Sequence, residues 1–202
     1  MDPMTFLVRN AIFTTRQFAA LCDIGVDSAS RKLARLATRA GIERITRGVW
    51  CQPEHPHFSA YAAVPFLLGN EQGYVSFLSA MHRHGLLSQI PGSIQVATTG
   101  HARVLSSRIG RFEFMRIRPQ MMLAGIEISD SEPPYGIASA EKALLDTLYI
   151  ATRKGRRFAR LPELDLDDIN RKTFFALLDQ QVDAWPVRQA IDTRLLALGL
   201  QR

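Results

Sequence analysis

The clearest alternation of apolar and polar positions lies over residues 27–40. Counted from Val26, the apolar residues Ala29, Leu33, Leu36, Ala37 and Ala40 recur at spacings of three and four. At about 100° per residue they form one stripe along a helix. The opposite face carries Ser28, Arg31, Arg35 and Thr38, flanked by Lys32 and Arg39. Upstream, Phe18, Ala19 and Leu21 line the inner side of a shorter helix over residues 16–22, with Thr14 or Thr15 placed to cap it. Asp23-Ile24-Gly25-Val26 reads as a tight turn, Asp27 or Ser28 as the cap of the second helix, and Gly41 as its stop. Ile42, Ile45, Val49 and Trp50, arranged around Arg47-Gly48, predict a two-stranded hairpin with a basic tip. Residues 1–12 are short for a first helix; Phe6, Leu7 and Ile12 read as core, and Ile12-Phe13 as a small strand beside the hairpin. Helix, turn, helix and hairpin in this order predict an N-terminal winged helix-turn-helix.

Gln52-Pro53-Glu54-His55-Pro56-His57 is a proline-punctuated connection, and it divides the chain into domains over residues 1–53 and 58–202. Residues 58–68 and 74–84 read as two helices joined by Gly69-Asn70-Glu71-Gln72-Gly73, with Tyr74, Phe77, Leu78 and Met81 on an inner face and Gly85 as the stop. The β-branched run at 94–99 predicts a strand, 100–106 a turn, and the alternation over 111–118 a second strand. A third strand fits within 121–128. Ser139 caps a helix over 139–152 with Glu141 in its first turn, and two more helices follow over 168–180 and 182–198, the last with Pro186 near its start. The fold class is therefore α+β: a winged helix-turn-helix followed by a mixed α/β domain with a small sheet flanked by helices.

Charge sharpens the first domain. Between Ser28 and Trp50 the bases are Arg31, Lys32, Arg35, Arg39, Arg44 and Arg47, and the only acid is Glu43, in a chain whose net charge is +6. Basic residues concentrated on the reading elements are a phosphate-binding footprint. The expected DNA-binding set is Ser28, Ser30, Arg31, Lys32, Arg35 and Arg39 on and beside the second helix, with Arg44 and Arg47 gripping backbone from the wing. The partner this implies is double-stranded DNA. A second basic run, Arg153, Lys154, Arg156, Arg157 and Arg160, reads as a solvated helix end in preference to a further DNA or acidic-partner contact. Arg103, Arg108, Arg111, Arg116 and Arg118 raise the same question.

With 202 residues the chain has room for a second core. Its longest apolar run, residues 61–68, is far short of the roughly 20 residues a bilayer span needs. Met1-Asp2-Pro3 lacks a secretory layout, and the two cysteines, Cys22 and Cys51, show no bridge framework, so a reduced, cytoplasmic protein is expected. Enzyme motifs are missing: there is no Gly-x-Ser-x-Gly elbow, no phosphate loop and no dinucleotide fingerprint. Gly92-Ser93 before a strand hints at a nucleotidyltransferase, yet Glu113 and Glu127 are the only acids between Ser93 and Asp130 and are in no paired spacing. We expect no catalytic residues and no cofactor. His82 and His84 would point about 200° apart on a helix, and His55 and His57 sit among prolines, so loop histidines are expected in place of a metal site.

The order of elements over about residues 13–152 resembles the AbiEi family of antitoxins from bacterial type IV toxin–antitoxin systems. The residues that carry it are Phe13-Thr14-Thr15, the hairpin ending in Arg47-Gly48-Val49-Trp50, Tyr74-Val75-Ser76-Phe77-Leu78-Ser79-Ala80-Met81-His82-Arg83-His84-Gly85-Leu86, and Ile137-Ala138-Ser139-Ala140-Glu141-Lys142-Ala143-Leu144-Leu145-Asp146. The resemblance implies a two-domain antitoxin. Such a protein binds inverted repeats in its own promoter, represses the toxin–antitoxin operon, and counteracts a nucleotidyltransferase-like toxin without necessarily forming a stable complex with it. The alternative is a stand-alone winged-helix transcription regulator whose C-terminal domain senses a ligand or partner. Its mark would be a concave apolar pocket with a few convergent polar groups.

Overall fold

The computed structural model describes residues 1–39, 41–153 and 157–202. Ala40, expected to end the apolar stripe, and Lys154 and Arg156 of the second basic run lie outside the described residues. The protein is mixed α+β. Its contacts divide it into two units: Met1–Asn70 with Leu105–Arg111 and Ser129–Tyr135, and Glu71–Val104 with Phe112–Ile128 and Gly136–Arg202. The proline-punctuated connection at residues 52–57 thus lies within the first unit.

The first unit begins with α1 (Pro3–Arg9), β1 (Ile12–Thr14), α2 (Thr15–Leu21), α3 (Val26–Ala37), β2 (Glu43–Thr46) and β3 (Val49–Cys51). The starts of α1 and α2 each have a local cause. Asp2 accepts the backbone N–H groups of Met4 and Thr5 ahead of α1. At α2 Thr14 and Gln17 form a reciprocal capping box, the Thr14 hydroxyl accepting from Gln17 N at 3.1 Å and the Gln17 carbonyl from Thr14 N at 2.8 Å. The strands form a sheet in the order β1-β3-β2, with β3 antiparallel to both neighbours. Phe6, Leu7, Phe13, Phe18, Ala19, Ala29, Leu33, Ile42 and Trp50 make the core. The Phe6 ring stands edge-on to Phe13 and Phe18 at 5.0 and 5.2 Å. Leu21, expected inside, is exposed at the end of α2. Where one helix was expected over 58–68, a 3-10 turn at Ala60–Ala63 precedes a short α4 (Val64–Leu68). Pro65 fits the first turn of an α-helix but not its interior, so the α-helix starts just before it.

Six further strands are β4 (Gly73–Val75), β5 (Ile94–Thr98), β6 (Arg103–Ser107), β7 (Gly110–Arg116), β8 (Ile126–Ile128) and β9 (Gly136–Ala138). They form one sheet in the order β6-β7-β5-β4-β9-β8, antiparallel at β4/β5 and β8/β9 and parallel at β5/β7 and β4/β9. With them go α5 (Phe77–Arg83), α6 (Ala140–Ala151), α7 (Arg171–Gln181) and α8 (Trp185–Ala197). Two expectations are corrected. The helix over 74–84 is split: Tyr74 and Val75 belong to β4, paired with Ala97 and Val96, and α5 starts at Phe77 after a left-handed turn with φ 55° at that residue. A strand buried on both faces is apolar at odd and even positions alike, which periodicity reads equally well as helix. The stretch at 100–106 holds β6 in place of a turn. The third strand expected within 121–128 is present as β8, following a 3-10 turn at Pro119–Met122. The predicted α6 stands, with Ser139 as its cap, and from Lys142 to Ala151 it is buried all round. No helix among the described residues is long and apolar enough to cross a membrane.

Candidate nucleic-acid interface

The N-cap of α3 is Gly25, which makes no side-chain cap bond, and Ala29 N donates to Gly25 O at 2.9 Å. The helix therefore starts ahead of Asp27 and Ser28, and neither is the cap the sequence predicts. Both lie in the first turn with their side chains exposed. Ala29 and Leu33 are fully buried, and Leu36 and Ala37 pack against the same core, so the apolar stripe docks as its spacing predicts. Val26, assigned to that stripe, is 51% exposed, because it opens the helix before the packed turn begins. The helix closes with the Thr38 hydroxyl donating to Arg35 O at 2.7 Å, and Gly41 follows at φ 64°. Arg39 thus lies just beyond the helix.

The hairpin between β2 and β3 turns through Arg47-Gly48, with Gly48 at φ 81°. Two bonds tie it to α2: Thr15 N donates to Gly48 O, and Trp50 Nε1 donates to the buried Thr15 hydroxyl, both at 2.9 Å. These fix where the tip stands relative to the helices. Arg44 lies along the hairpin, its Nε donating to Thr46 O at 3.2 Å and its guanidinium 5.9 Å from the Trp50 ring centre. Glu43, the one acid in this stretch, is 3.8 Å from Arg108.

All eight residues of the expected set are solvent-accessible. Ser28, Ser30, Arg31, Arg35, Arg39, Arg44 and Arg47 are exposed, and Lys32 is half-buried. The helix brings Ser28, Arg31 and Arg35 onto its outward face with Thr38. Ser30 and Lys32 do not join them: each is about 100° round from Arg31, on opposite flanks. Among the described residues none of Arg31, Lys32, Arg35, Arg39, Arg44 and Arg47 has an acidic partner within ion-pair distance. Asp27, considered in the sequence only as a cap, stands one turn before Arg31 on the same outward face. The signal that could have found it is that i, i+4 spacing.

The other arginines are used differently. Arg103 pairs with Glu71 at 2.6 Å and covers the Phe114 ring, and its hydrogen bond holds the Glu71 carboxyl below the usual range. Arg153 donates to Arg116 O at 2.6 Å and lies over Tyr149, and Arg157 pairs with Glu113. Those cations serve the fold of their own unit.

The two longer stretches that carry the family resemblance meet in a closed polar cluster. Asp146 of α6 accepts from the Tyr74 hydroxyl at 2.9 Å and the Ser76 hydroxyl at 2.7 Å, and it pairs with Lys142 one turn earlier. Tyr74 is 1% exposed and the other three are fully buried. Burial pushes the Lys142 ammonium below its ordinary pKa against the pull of Asp146; burial and then the Asp146 charge push the Tyr74 phenol well above its own. Buried on all sides, this cluster ties β4 and the residue after it to α6. Three of the five histidines turn to backbone: a ring nitrogen lies 3.0 Å from Val8 O in His55, 2.9 Å from Leu87 O in His82 and 2.7 Å from Ala138 O in His84. No group of three potential metal ligands occurs among the described residues. The chain matches no protein-family model and no characterised protein sequence at a significant level.

Proposed function

We propose that the chain is a sequence-specific DNA-binding protein whose first unit is a winged helix-turn-helix. In this reading α3 enters the major groove, and the β2–β3 hairpin is the wing that grips the backbone. Ser28, Arg31 and Arg35 meet base edges and nearby phosphates. Ser30 and Lys32 face the groove walls, and Arg39, Arg44 and Arg47 neutralise phosphates. One observation carries the reading. The arginines of α3 and the hairpin are exposed and have no acidic partner among the described residues, while the opposite side of α3 is sealed into the core. Unpaired guanidinium groups held on a rigid scaffold release counterions on meeting a duplex, which drives association. The test is a binding titration of the full chain at two salt concentrations, comparing the DNA upstream of its own coding sequence with scrambled duplex. Tighter binding to the upstream DNA, weakening as salt rises, is expected; equal binding to both sequences overturns the reading.

On the resemblance set out above, we further propose that the protein is an antitoxin: it represses its own operon and counteracts a nucleotidyltransferase-like toxin encoded next to it, with no catalytic step of its own. Co-expression with the adjacent gene tests this, and growth that is not rescued overturns it. One observation favours the second reading, a regulator with a ligand-sensing unit. A groove of about 670 Å³ lies beside α7 and α8, with Phe175, Leu195, Leu196 and Leu200 as its apolar lining and Arg188, Asp192 and Arg202 as its charged groups. Thermal stabilisation by a small amphipathic anion would favour that reading.

A further inference from the structure

We propose that Asp27 and Arg31 of α3 act together as the sequence-reading pair, taking a cytosine and a guanine no more than two base steps apart. The inference rests on the DNA-binding reading above and deepens it. Asp27 is exposed in the first turn of α3, and Gly25 holds the cap position in its place. Its carboxylate makes no hydrogen bond or ion pair among the described residues, including none to Arg31 one turn on. An acid left free at the N-terminal end of a cationic face repels phosphate, so it weakens any contact made to backbone alone. It is tolerable where it meets a donor on a base edge. In the major groove the exocyclic amine of cytosine is such a donor, and guanine O6 and N7 together accept a guanidinium.

The spacing fits. Four residues advance about 6 Å along a helix, and successive base pairs are about 3.4 Å apart. Groove-reading helices also make their base contacts from N-terminal residues; Asp27 is the second residue of α3 and Arg31 lies one turn on. Arg35, one turn further on, is less free: its Nε donates to Arg31 O at 3.4 Å.

The experiment is selection of bound sequences from a randomised duplex library by the full chain, as wild type, Asp27→Ala, Asp27→Asn and Arg31→Ala, with thermal melts to confirm folding. Wild type is expected to select a C·G pair within two steps of a G·C pair, with a preference at each of roughly tenfold to hundredfold. Arg31→Ala loses the guanine position alone. Asp27→Ala loses the cytosine position and keeps the rest. Asp27→Asn moves that preference to adenine, whose N6 and N7 match a carboxamide. If Asp27→Ala and Asp27→Asn keep every preference and merely bind all duplexes more tightly, the carboxylate is no more than a surface charge and the pair is refuted, though DNA binding stands. A wild type that selects no sequence overturns both.

Discussion

Replacing Asp146 by alanine removes the group on which three buried side chains converge. The substitution removes the acceptor of the Tyr74 and Ser76 hydroxyls and the partner of the Lys142 ammonium. Breaking a buried ion pair costs about 3–5 kcal/mol, because the surviving charge has no compensation. A buried hydroxyl left without a partner adds about 1–3 kcal/mol. Two features limit the total. The Tyr74 hydroxyl keeps a second acceptor, Met121 O at 3.3 Å, and Lys142, already pushed down by burial, can shed its proton. A loss of about 4 kcal/mol is expected, a large part of the roughly 5–15 kcal/mol that holds a domain together. The double variant Lys142→Met/Asp146→Leu fills the same space without charge and should recover most of this, leaving the Ser76 hydroxyl as the residual cost. Urea unfolding at pH 7 followed by far-UV circular dichroism measures all three proteins. A loss below about 1 kcal/mol for Asp146→Ala, or a double variant less stable than the single, would refute the account of this cluster as a closed, charge-paired tie.

Arg47→Ala should weaken binding to every duplex alike and lower the slope of log affinity against log salt by about 0.9, the value of one phosphate contact, with the melting temperature unchanged; titrations from low to moderate salt decide it. Leu33→Ala, at a fully buried position, should cost about 2–5 kcal/mol and weaken DNA binding through the unfolded fraction of the first unit, read by urea titration of Trp50 fluorescence. The Cys51 thiol is pushed up from 9.0 to about 12, by burial first and then by the Glu43 charge. Because the folded value is raised, its contribution to stability is whole below pH 9 and is lost as pH rises through 12. At pH 8 an aromatic disulfide reagent should therefore titrate only Cys22 in the native protein and both thiols in urea.

Much of the first unit was legible residue by residue. The stripe through Ala29 and Leu33, the cap at Thr14, the small strand at Ile12 and the Arg47-Gly48 tip are short-range features, settled by neighbours within a turn or a hairpin. The predicted helices α6, α7 and α8 also appear near their expected bounds, for the same reason. The errors in the larger sheet fall where the chain's own periodicity carries no information about the partner strand. Tyr74 and Val75 look helical until β5 and β9 lie on either side of them, and Gly136–Ala138 is too short to announce itself.

The order of amino acids was enough to place a basic, amphipathic helix beside a basic hairpin, since capping, spacing and turn chemistry act over a few residues. It could not say which cations stay free. Arg153 and Arg157 look as available as Arg31 and Arg35 along the chain, and they differ because distant residues, Arg116 and Glu113, come within reach of the first pair. The same holds for the closed cluster of Tyr74, Ser76, Lys142 and Asp146, in which Asp146 is 72 and 70 positions from the two hydroxyls it accepts. Burial and electrostatic pairing are sums over everything nearby in space, and that neighbourhood exists only once the chain has folded.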